Sequence, residues 1–205
     1  MPSPTVIHPT ALVEQGAELG RGVNVGPYCI IGSRAVVADN VSIGPYSQVI
    51  GNTKIGEGCK IYSHCVLGAH PQDYTYEESM ETSLVCGDFN TFREYSNVAL
   101  GTLKQDGVTV IGNHNYFMMN THIAHDCVVG NHNTLANKTI LGGHVEMGDR
   151  VISGGQVACH QFCRVGSFVM LGAGSVVIQD IAPFLITHGD HSKILGVHQV
   201  GLKRA

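Results

Sequence analysis

A chain of 205 residues that is 43% apolar and 14% charged is long enough for one domain and too apolar to remain disordered. Its 26 glycines and its lack of tryptophan are unlike the composition of a helical bundle. The formal net charge of −4 argues against nucleic acid as a general partner. No apolar run is long enough to span a bilayer and residues 1–4 show no apolar leader, so we expect a cytoplasmic protein without a membrane span.

A six-residue repeat starts near the N-terminus and predicts the first elements. Every sixth residue is aliphatic, the residue after it is often glycine, and the fifth residue of each hexad is small or β-branched. A period of six does not fit an α-helix, whose apolar face recurs at three and four residues. It is typical of a parallel β-helix, in which each hexad supplies one strand and one turn and three hexads complete a coil. The aliphatic positions of this run are Ile7, Val13, Leu19, Val25, Ile31, Val37, Ile43, Val49, Ile55, Ile61 and Leu67.

Two breaks interrupt the repeat, and we predict that both are loops leaving the prism. The first covers residues 69–85 and the second residues 101–110, with a short return of the pattern between them. The chain therefore reads as one all-β domain over residues 1–183, followed by an extended or looped tail over residues 184–205. The inward positions after the first break are Cys86, Phe92, Val98, Ile111, Phe117, Ile123, Val129, Leu135, Leu141, Met147, Ser153, Cys159, Val165, Leu171 and Val177.

The repeat also assigns neighbours to the histidines of its last run. With eighteen residues in a coil, His125 stacks under Gly143 and Asp126 under His144. Parallel strands lie about 4.8 Å apart, so these groups are predicted to be immediate neighbours. The same edge is predicted to carry His122, His144, His160 and Gln161.

This arrangement predicts general-base chemistry at His125. A carboxylate beside an imidazole fixes its tautomer and stabilises the imidazolium, so Asp126 suits an orienting partner. The backbone N–H of Gly143 suits a donor to a developing oxyanion. All seven cysteines are interpreted as reduced structural thiols, and Cys127 should point into the core. Without a serine or cysteine nucleophile, we expect direct attack by a substrate hydroxyl or amine, with no cofactor and no metal.

Two other interpretations of these histidines remain open. Turns tolerate polar residues, so the cluster could be incidental. Histidines from adjacent subunits could instead bind zinc, as in the gamma-class carbonic anhydrases. His122 and His125 alone would not complete such a site, and Asp126 beside His125 suits a base better than a metal ligand.

Several stretches beyond the repeat itself resemble one family, the UDP-N-acetylglucosamine O-acyltransferases that start lipid A synthesis. They span nearly the whole chain, and generic hexapeptide transferases share the repeat but not the two histidine motifs. The stretches are IHPTA at 7–11, QD at 72–73, NTHIAHDC at 120–127, LGGHV at 141–145, HQFC at 160–163 and GLKR at 201–204.

The resemblance implies a left-handed parallel β-helix that forms a homotrimer, with each site between two subunits. It implies transfer of a 3-hydroxyacyl chain from acyl carrier protein to the 3-position of a UDP-amino sugar, expected to be UDP-N-acetylglucosamine. His125 would be the base, Asp126 its partner and the Gly143 N–H the oxyanion donor. The residues implied to contact the sugar nucleotide or the thioester are Asp73, His122, His144, His160, Gln161, His198 and Arg204.

The chain departs from the family pattern around the nucleotide. Thr75 stands where the family usually has a lysine near the phosphate, and His198 and Val200 stand where it tends to have Asn and Glu. We expect weaker nucleotide binding, or a replacement of that lysine by His198 or Lys193. The family's helical C-terminal region has no counterpart in the 205 residues. Two alternatives are therefore kept: a shortened paralogue that acylates a different nucleotide or amino sugar, and a non-catalytic hexapeptide-repeat scaffold.

Overall fold

Short parallel strands stacked at an interval of eighteen residues build the fold, in a computed structural model that describes residues 4–205 apart from the side chain of Arg204. Val6–Ile7 pairs with Asn24–Val25, for example, and the interval recurs along the molecule. Three faces result, with ladders of eleven, nine and eight strands. The chain is thus a parallel β-helix, as the repeat predicts, and it has the left-handed form that the resemblance implies.

The strands of the prism occupy the three faces in turn. Those before the first loop are β1 (Val6–Ile7), β2 (Leu12–Val13), β3 (Glu18–Leu19), β4 (Asn24–Val25), β5 (Ile30–Ile31), β6 (Val36–Val37), β7 (Ser42–Ile43), β8 (Gln48–Val49), β9 (Asn52–Ile55), β10 (Lys60–Ile61) and β11 (Val66–Ala69). Those between the loops are β12 (Ser83–Cys86), β13 (Thr91–Phe92) and β14 (Asn97–Ala99). Those after the second loop are β15 (Val108–Ile111), β16 (Tyr116–Phe117), β17 (His122–Ile123), β18 (Val128–Val129), β19 (Thr134–Leu135), β20 (Ile140–Leu141), β21 (Glu146–Met147), β22 (Ile152–Ser153), β23 (Ala158–Cys159), β24 (Arg164–Val165), β25 (Met170–Leu171) and β26 (Val176–Val177).

The inward residues of the hexads form the core. From Val25 onward every predicted inward position is buried, including Ser153 and Cys159, whereas Ile7 in the first described coil is 44% exposed. Burying a Val, Leu or Ile side chain contributes about 1.5–3 kcal/mol, so stability accumulates coil by coil. All seven cysteines are buried free thiols, as predicted. Burial raises the pKa of the Cys127 thiol to about 12, which makes it a poor nucleophile.

Both loops leave the prism at the same corner, where the nine-stranded face meets the eight-stranded face; we call it the His125 corner. β11, β12 and β15 extend further into the breaks than the sequence predicts, so the segments between strands are residues 70–82 and 100–107. The strand register shows the second insertion. Asn97 pairs with His122, so the interval between these two partners is seven residues longer than the regular eighteen. The two loops therefore lie next to the turn that carries His125.

The C-terminal tail corrects one prediction, since it is not simply extended or looped. It contains β27 (Leu185–His188), a 3-10 turn (Asp190–Ser192), β28 (Lys193–Val197) and the helix α1 (Gln199–Arg204). β27 continues the eleven-stranded face in parallel with β25, and β28 returns antiparallel to β27. A tail outside the repeat has no neighbour at a fixed interval, so its contacts with the prism decide its conformation. Across residues 4–205, no helix combines the length and the apolarity that crossing a membrane requires.

Candidate active site

The turns at the His125 corner stack in the predicted register. The His144 N–H donates to the His125 carbonyl oxygen and the Phe162 N–H donates to the Gly143 carbonyl oxygen, each at 3.0 Å. Asp126, His144 and Phe162 occupy equivalent places in three successive turns, with φ values of 59°, 62° and 67°. Asp and His adopt this left-handed conformation more readily than most residues do. The turn geometry thus stacks Asp126 below His144, as the sequence predicts.

His125 and Asp126 form a hydrogen-bonded pair. The Nδ1 atom of His125 lies 2.8 Å from Oδ2 of Asp126, so the imidazole donates its Nδ1–H to the carboxylate. The side chain of His125 is 13% exposed and that of Asp126 only 1% exposed. This hydrogen bond selects the tautomer in which Nε2 carries the lone pair, the form that a general base requires.

Gly143 faces the other side of the same imidazole. A Cβ atom built on Gly143 would lie 2.6 Å from Cε1 and 2.9 Å from Nε2 of His125, so the position has no room for a side chain. In the described chain, residues 4–205, no group accepts a hydrogen bond from the Gly143 N–H. A basic nitrogen and an uncommitted backbone donor therefore lie side by side, which suits an attacking oxygen and the oxyanion that it creates.

Thr102, on the second loop, binds the carboxylate that holds His125. Its N–H donates to Oδ1 of Asp126 at 2.8 Å, and its hydroxyl donates to Oδ2 at 2.6 Å. The hydroxyl of Thr109 accepts the backbone N–H of Asp126 at 2.8 Å. The repeat does not single out Thr102, because the residue lies outside it. The order of the hexads before and after the break could have placed this loop at the His125 corner, because it shows which two faces the loop connects.

His144 is held by the same loop. Its Nδ1 atom lies 2.8 Å from Oε1 of Gln105, and its ring stacks on Phe162 with centroids 4.5 Å apart. Its Nε2 atom is 3.7 Å from the Asp126 carboxylate. Burial lowers the pKa of His144 and outweighs the opposing effect of that carboxylate. A neutral His144 beside the pair is available to accept or donate a hydrogen bond.

His122 lies on β17, just before the turn of His125. Its Nδ1 atom is 3.1 Å from Oδ1 of Asn97, one coil below. Burial lowers the pKa of His122, and the nearby charge of His125 lowers it further. Both shifts favour a neutral imidazole, which contacts a substrate through hydrogen bonds without adding a charge.

The first loop brings Asp73 to this corner, where Lys104 of the second loop contacts it. The ammonium of Lys104 pairs with Oδ2 of Asp73, and both the N–H and the hydroxyl of Thr75 donate to Oδ1 at 2.9 Å. The hydrogen bond from Lys104 is the main cause that holds the pKa of Asp73 well below its usual value. The side chain of Lys104 remains 51% exposed. A small cleft of 190 Å³ between the loops is lined by Thr75, Tyr76, Met80, Thr102, Leu103 and Lys104.

The remaining predicted residues divide between two corners. His160 and Gln161 lie exposed at the His125 corner, one coil above Gly143. His198 does not join them: it is buried at the corner between the eight-stranded and eleven-stranded faces, with Nδ1 2.8 Å from the Phe168 carbonyl oxygen. Arg204 ends α1, and its side chain lies outside the described part of the chain.

Within one chain, neither Lys193 nor His198 lies beside Asp73. Lys193 lies on β28, on the eleven-stranded face, and His198 is at another corner. Lys104 reaches the place instead, from a loop that leaves the prism one coil above the loop of Asp73.

A metal site is the alternative chemistry at this corner. One ligand atom from each of His125, Asp126 and His144 lies within 4.8 Å of the other two. However, both oxygens of Asp126 already accept hydrogen bonds, two from Thr102 and one from His125. A carboxylate occupied in this way suits an oriented base better than a tetrahedral zinc centre.

The fold and its repeat place the chain in the class of hexapeptide-repeat transferases. The family described as "Bacterial transferase hexapeptide (six repeats)" matches residues 34–69 and 109–143. Those segments are part of the prism on either side of the two loops, and the second contains His125.

Curated relatives and solved structures narrow this class. The chain is 38% identical over 198 residues to an acyl-[acyl-carrier-protein]–UDP-N-acetylglucosamine O-acyltransferase of Campylobacter concisus, covering 97% of this chain and 76% of that one. It is 44% identical over 203 residues to the protein of the same name from Bartonella henselae, covering 99% and 74%. The UDP-N-acetylglucosamine acyltransferase structure from Francisella novicida matches with a TM-score of 0.95 at 35% identity, covering 97% of this chain and 73% of that one. The chain belongs to the acyl-[acyl-carrier-protein]–UDP-N-acetylglucosamine O-acyltransferase family, and the resemblance seen in its motifs is confirmed.

Proposed function

We propose that this chain transfers a 3-hydroxyacyl chain from acyl carrier protein to the 3-position of UDP-N-acetylglucosamine, the first step of lipid A biosynthesis. The observation that carries the proposal is the pair of His125 and Asp126 beside the open N–H of Gly143. The names of the curated relatives supply the acyl donor and the acceptor.

Each of the three residues has a chemical role in this proposal. The Nε2 atom of His125 takes the proton of the sugar hydroxyl while its oxygen attacks the thioester carbonyl. The carbonyl oxygen becomes an oxyanion that accepts the Gly143 N–H. Asp126 stabilises the imidazolium through Nδ1. When the tetrahedral intermediate collapses, the imidazolium returns its proton to the departing sulfur, which leaves the ester and the free carrier thiol.

Substrate contacts are proposed around this centre. His122, His144, His160 and Gln161 lie at the same corner. The neutral imidazoles of His122 and His144 and the amide of Gln161 suit sugar hydroxyls and the thioester. The ammonium of Lys104, anchored by Asp73, suits the negatively charged diphosphate. In one chain, His198 lies too far around the prism to join this set. Its predicted contact with substrate, like that of Arg204, remains a prediction.

A homotrimer in the cytoplasm is part of the same proposal. The nine-stranded face presents exposed apolar side chains, including Leu12, Ile140 and Val176 at 55%, 45% and 40% exposure. An adjoining subunit would bury such side chains and give the open His125 corner a second wall. Sedimentation equilibrium should give three times the subunit mass of 21.8 kDa, and a monomer that turns over at full rate would refute the shared-site idea.

The decisive test is mass spectrometry of products from a panel of acyl carrier proteins and UDP-sugars. The proposal predicts one added 3-hydroxyacyl group on UDP-N-acetylglucosamine, attached by an alkali-labile ester. If only another nucleotide or amino sugar is acylated, the chain is better explained as a shortened paralogue with a different acceptor. No product from any pair, with the trimer intact, would favour the non-catalytic scaffold.

A further inference from the structure

We infer that Thr102 is the positioning residue of this active site: its two hydrogen bonds orient the Asp126 carboxylate and, through it, the tautomer of His125. The inference rests on the proposed function and adds a residue that the repeat does not reach. Thr102 has no direct role towards substrate in this account, because it acts only through Asp126.

The geometry at the carboxylate carries the inference. Thr102 donates to both oxygens, with its N–H on Oδ1 at 2.8 Å and its hydroxyl on Oδ2 at 2.6 Å. Oδ2 is also the oxygen that accepts Nδ1–H of His125 at 2.8 Å. Two donors on one residue fix the rotation of the carboxylate plane, and that rotation decides whether Oδ2 faces the imidazole.

Burial makes this arrangement necessary. Asp126 is 2% exposed and Thr102 is 3% exposed, so water does not solvate the carboxylate. A carboxylate removed from water needs compensating hydrogen bonds, and here Thr102 and His125 supply them. Without the two bonds from Thr102, the carboxylate would be free to turn Oδ2 away from Nδ1 of His125, and Nε2 would no longer be held as the proton acceptor.

The loop is built to hold Thr102 in place. The Gly107 N–H donates back to the Thr102 carbonyl oxygen at 3.1 Å, and the Gly101 N–H donates to Ser83 at 3.1 Å. Leu100, 1% exposed, anchors the loop in the core. Thr102 therefore stands at the closed base of the loop, where its backbone is fixed independently of substrate.

The test compares Thr102→Val, which keeps the shape and the N–H, with Thr102→Ser, which keeps the hydroxyl. We expect Thr102→Val to lower kcat by about 10- to 100-fold, below the roughly 10²- to 10⁴-fold cost of losing a general base, with KM changed less than about threefold. Thr102→Ser should recover most of the rate. Thr139→Val is the matched control. Thr139 is buried like Thr102 and its hydroxyl donates a hydrogen bond, but to the Ala136 carbonyl oxygen at a different corner.

A double variant separates this inference from a general loss of structure. Residues that act through one another are not additive, so Thr102→Val in an Asp126→Asn background should cost less than about twofold more. Full additivity, a wild-type kcat for Thr102→Val, or a Thr102→Ser as slow as Thr102→Val would overturn the inference. Thr102→Ala replaces Thr102→Val in the same comparison if the valine variant does not assemble. If His125→Ala keeps its activity, the proposed function itself fails, whatever Thr102 does.

Discussion

Gly143 lies so close to the imidazole of His125 that a methyl group at Gly143 would stand 2.6 Å from Cε1 of the ring. Gly143→Ala should therefore displace the base and lower kcat by about a hundredfold, the order of cost for a 1 Å misplacement. Gly155→Ala is the control, because its nearest contact would be an ordinary 3.5 Å to Asn137. Steady-state kinetics of both variants measure the difference. Equal rates for Gly143→Ala and wild type would remove Gly143 from the site.

Loss of the base itself should have the largest effect. His125→Ala is expected to lower kcat by about 10²- to 10⁴-fold, and Asp126→Asn by less, because the amide mis-sets the tautomer without deleting the imidazole. His114→Ala, an exposed histidine in a turn at another corner, controls for the loss of an imidazole. Circular dichroism checks that each variant keeps its fold. Wild-type turnover by both variants would mean that the assignment of the active site is wrong.

The hydrogen-bonded state of Asp126 predicts that catalysis does not depend on a metal. Activity should survive dialysis against a chelator, since both carboxylate oxygens are occupied by donors from Thr102 and His125. Metal content by plasma mass spectrometry and activity are measured on the same sample. One zinc per subunit, with activity that disappears on its removal and returns on its addition, would establish the alternative of a zinc site.

The position of Lys104 beside Asp73 predicts that its loss weakens nucleotide binding. Lys104→Met should raise the Kd for UDP-N-acetylglucosamine by about tenfold through loss of a charge-assisted contact to phosphate, with a smaller change in kcat. Thr75→Lys should change the Kd less than about threefold, because Lys104 already neutralises Asp73. Isothermal titration calorimetry of both variants, with the exposed Lys60→Met as control, measures these constants. Tenfold tighter binding by Thr75→Lys would show instead that the lysine of the family has no replacement here.

The pKa values of His122 and His144, lowered by burial, predict a stability that depends on pH. Below the ordinary histidine pKa of about 6.5, the unfolded chain binds protons at these two residues that the folded chain does not bind. The contribution of these two histidines to the free energy of unfolding should therefore be complete above that pH. It should decrease as the pH falls towards their lowered pKa values in the folded chain. Urea midpoints measured between pH 5 and 7.5 test this. His122→Gln should flatten the slope, and an unchanged slope in that variant would contradict the prediction.

The six-residue period by itself determined the prism and the stacking of its turns. An inward aliphatic residue at every sixth position buries its side chain only if three strands close one coil, and eighteen residues then separate vertical neighbours. Gly143 above His125, and His144 above Asp126, follow from that interval without further information. The same rule identified Cys127 as a core thiol, and burial confirms it.

Tertiary structure alone decided the contacts made by segments outside the repeat. Thr102 on Asp126, Gln105 on His144 and Lys104 on Asp73 all come from a loop of residues 100–107. Such a loop has no partner at a fixed interval. Its path depends on its own hydrogen bonds and on the residue that anchors it in the core. The placement of His198 at a different corner, and the helix at the C-terminus, have the same origin. A periodic sequence encodes its own stacking because each coil repeats the geometry of the last, whereas an insertion must find its contacts in three dimensions.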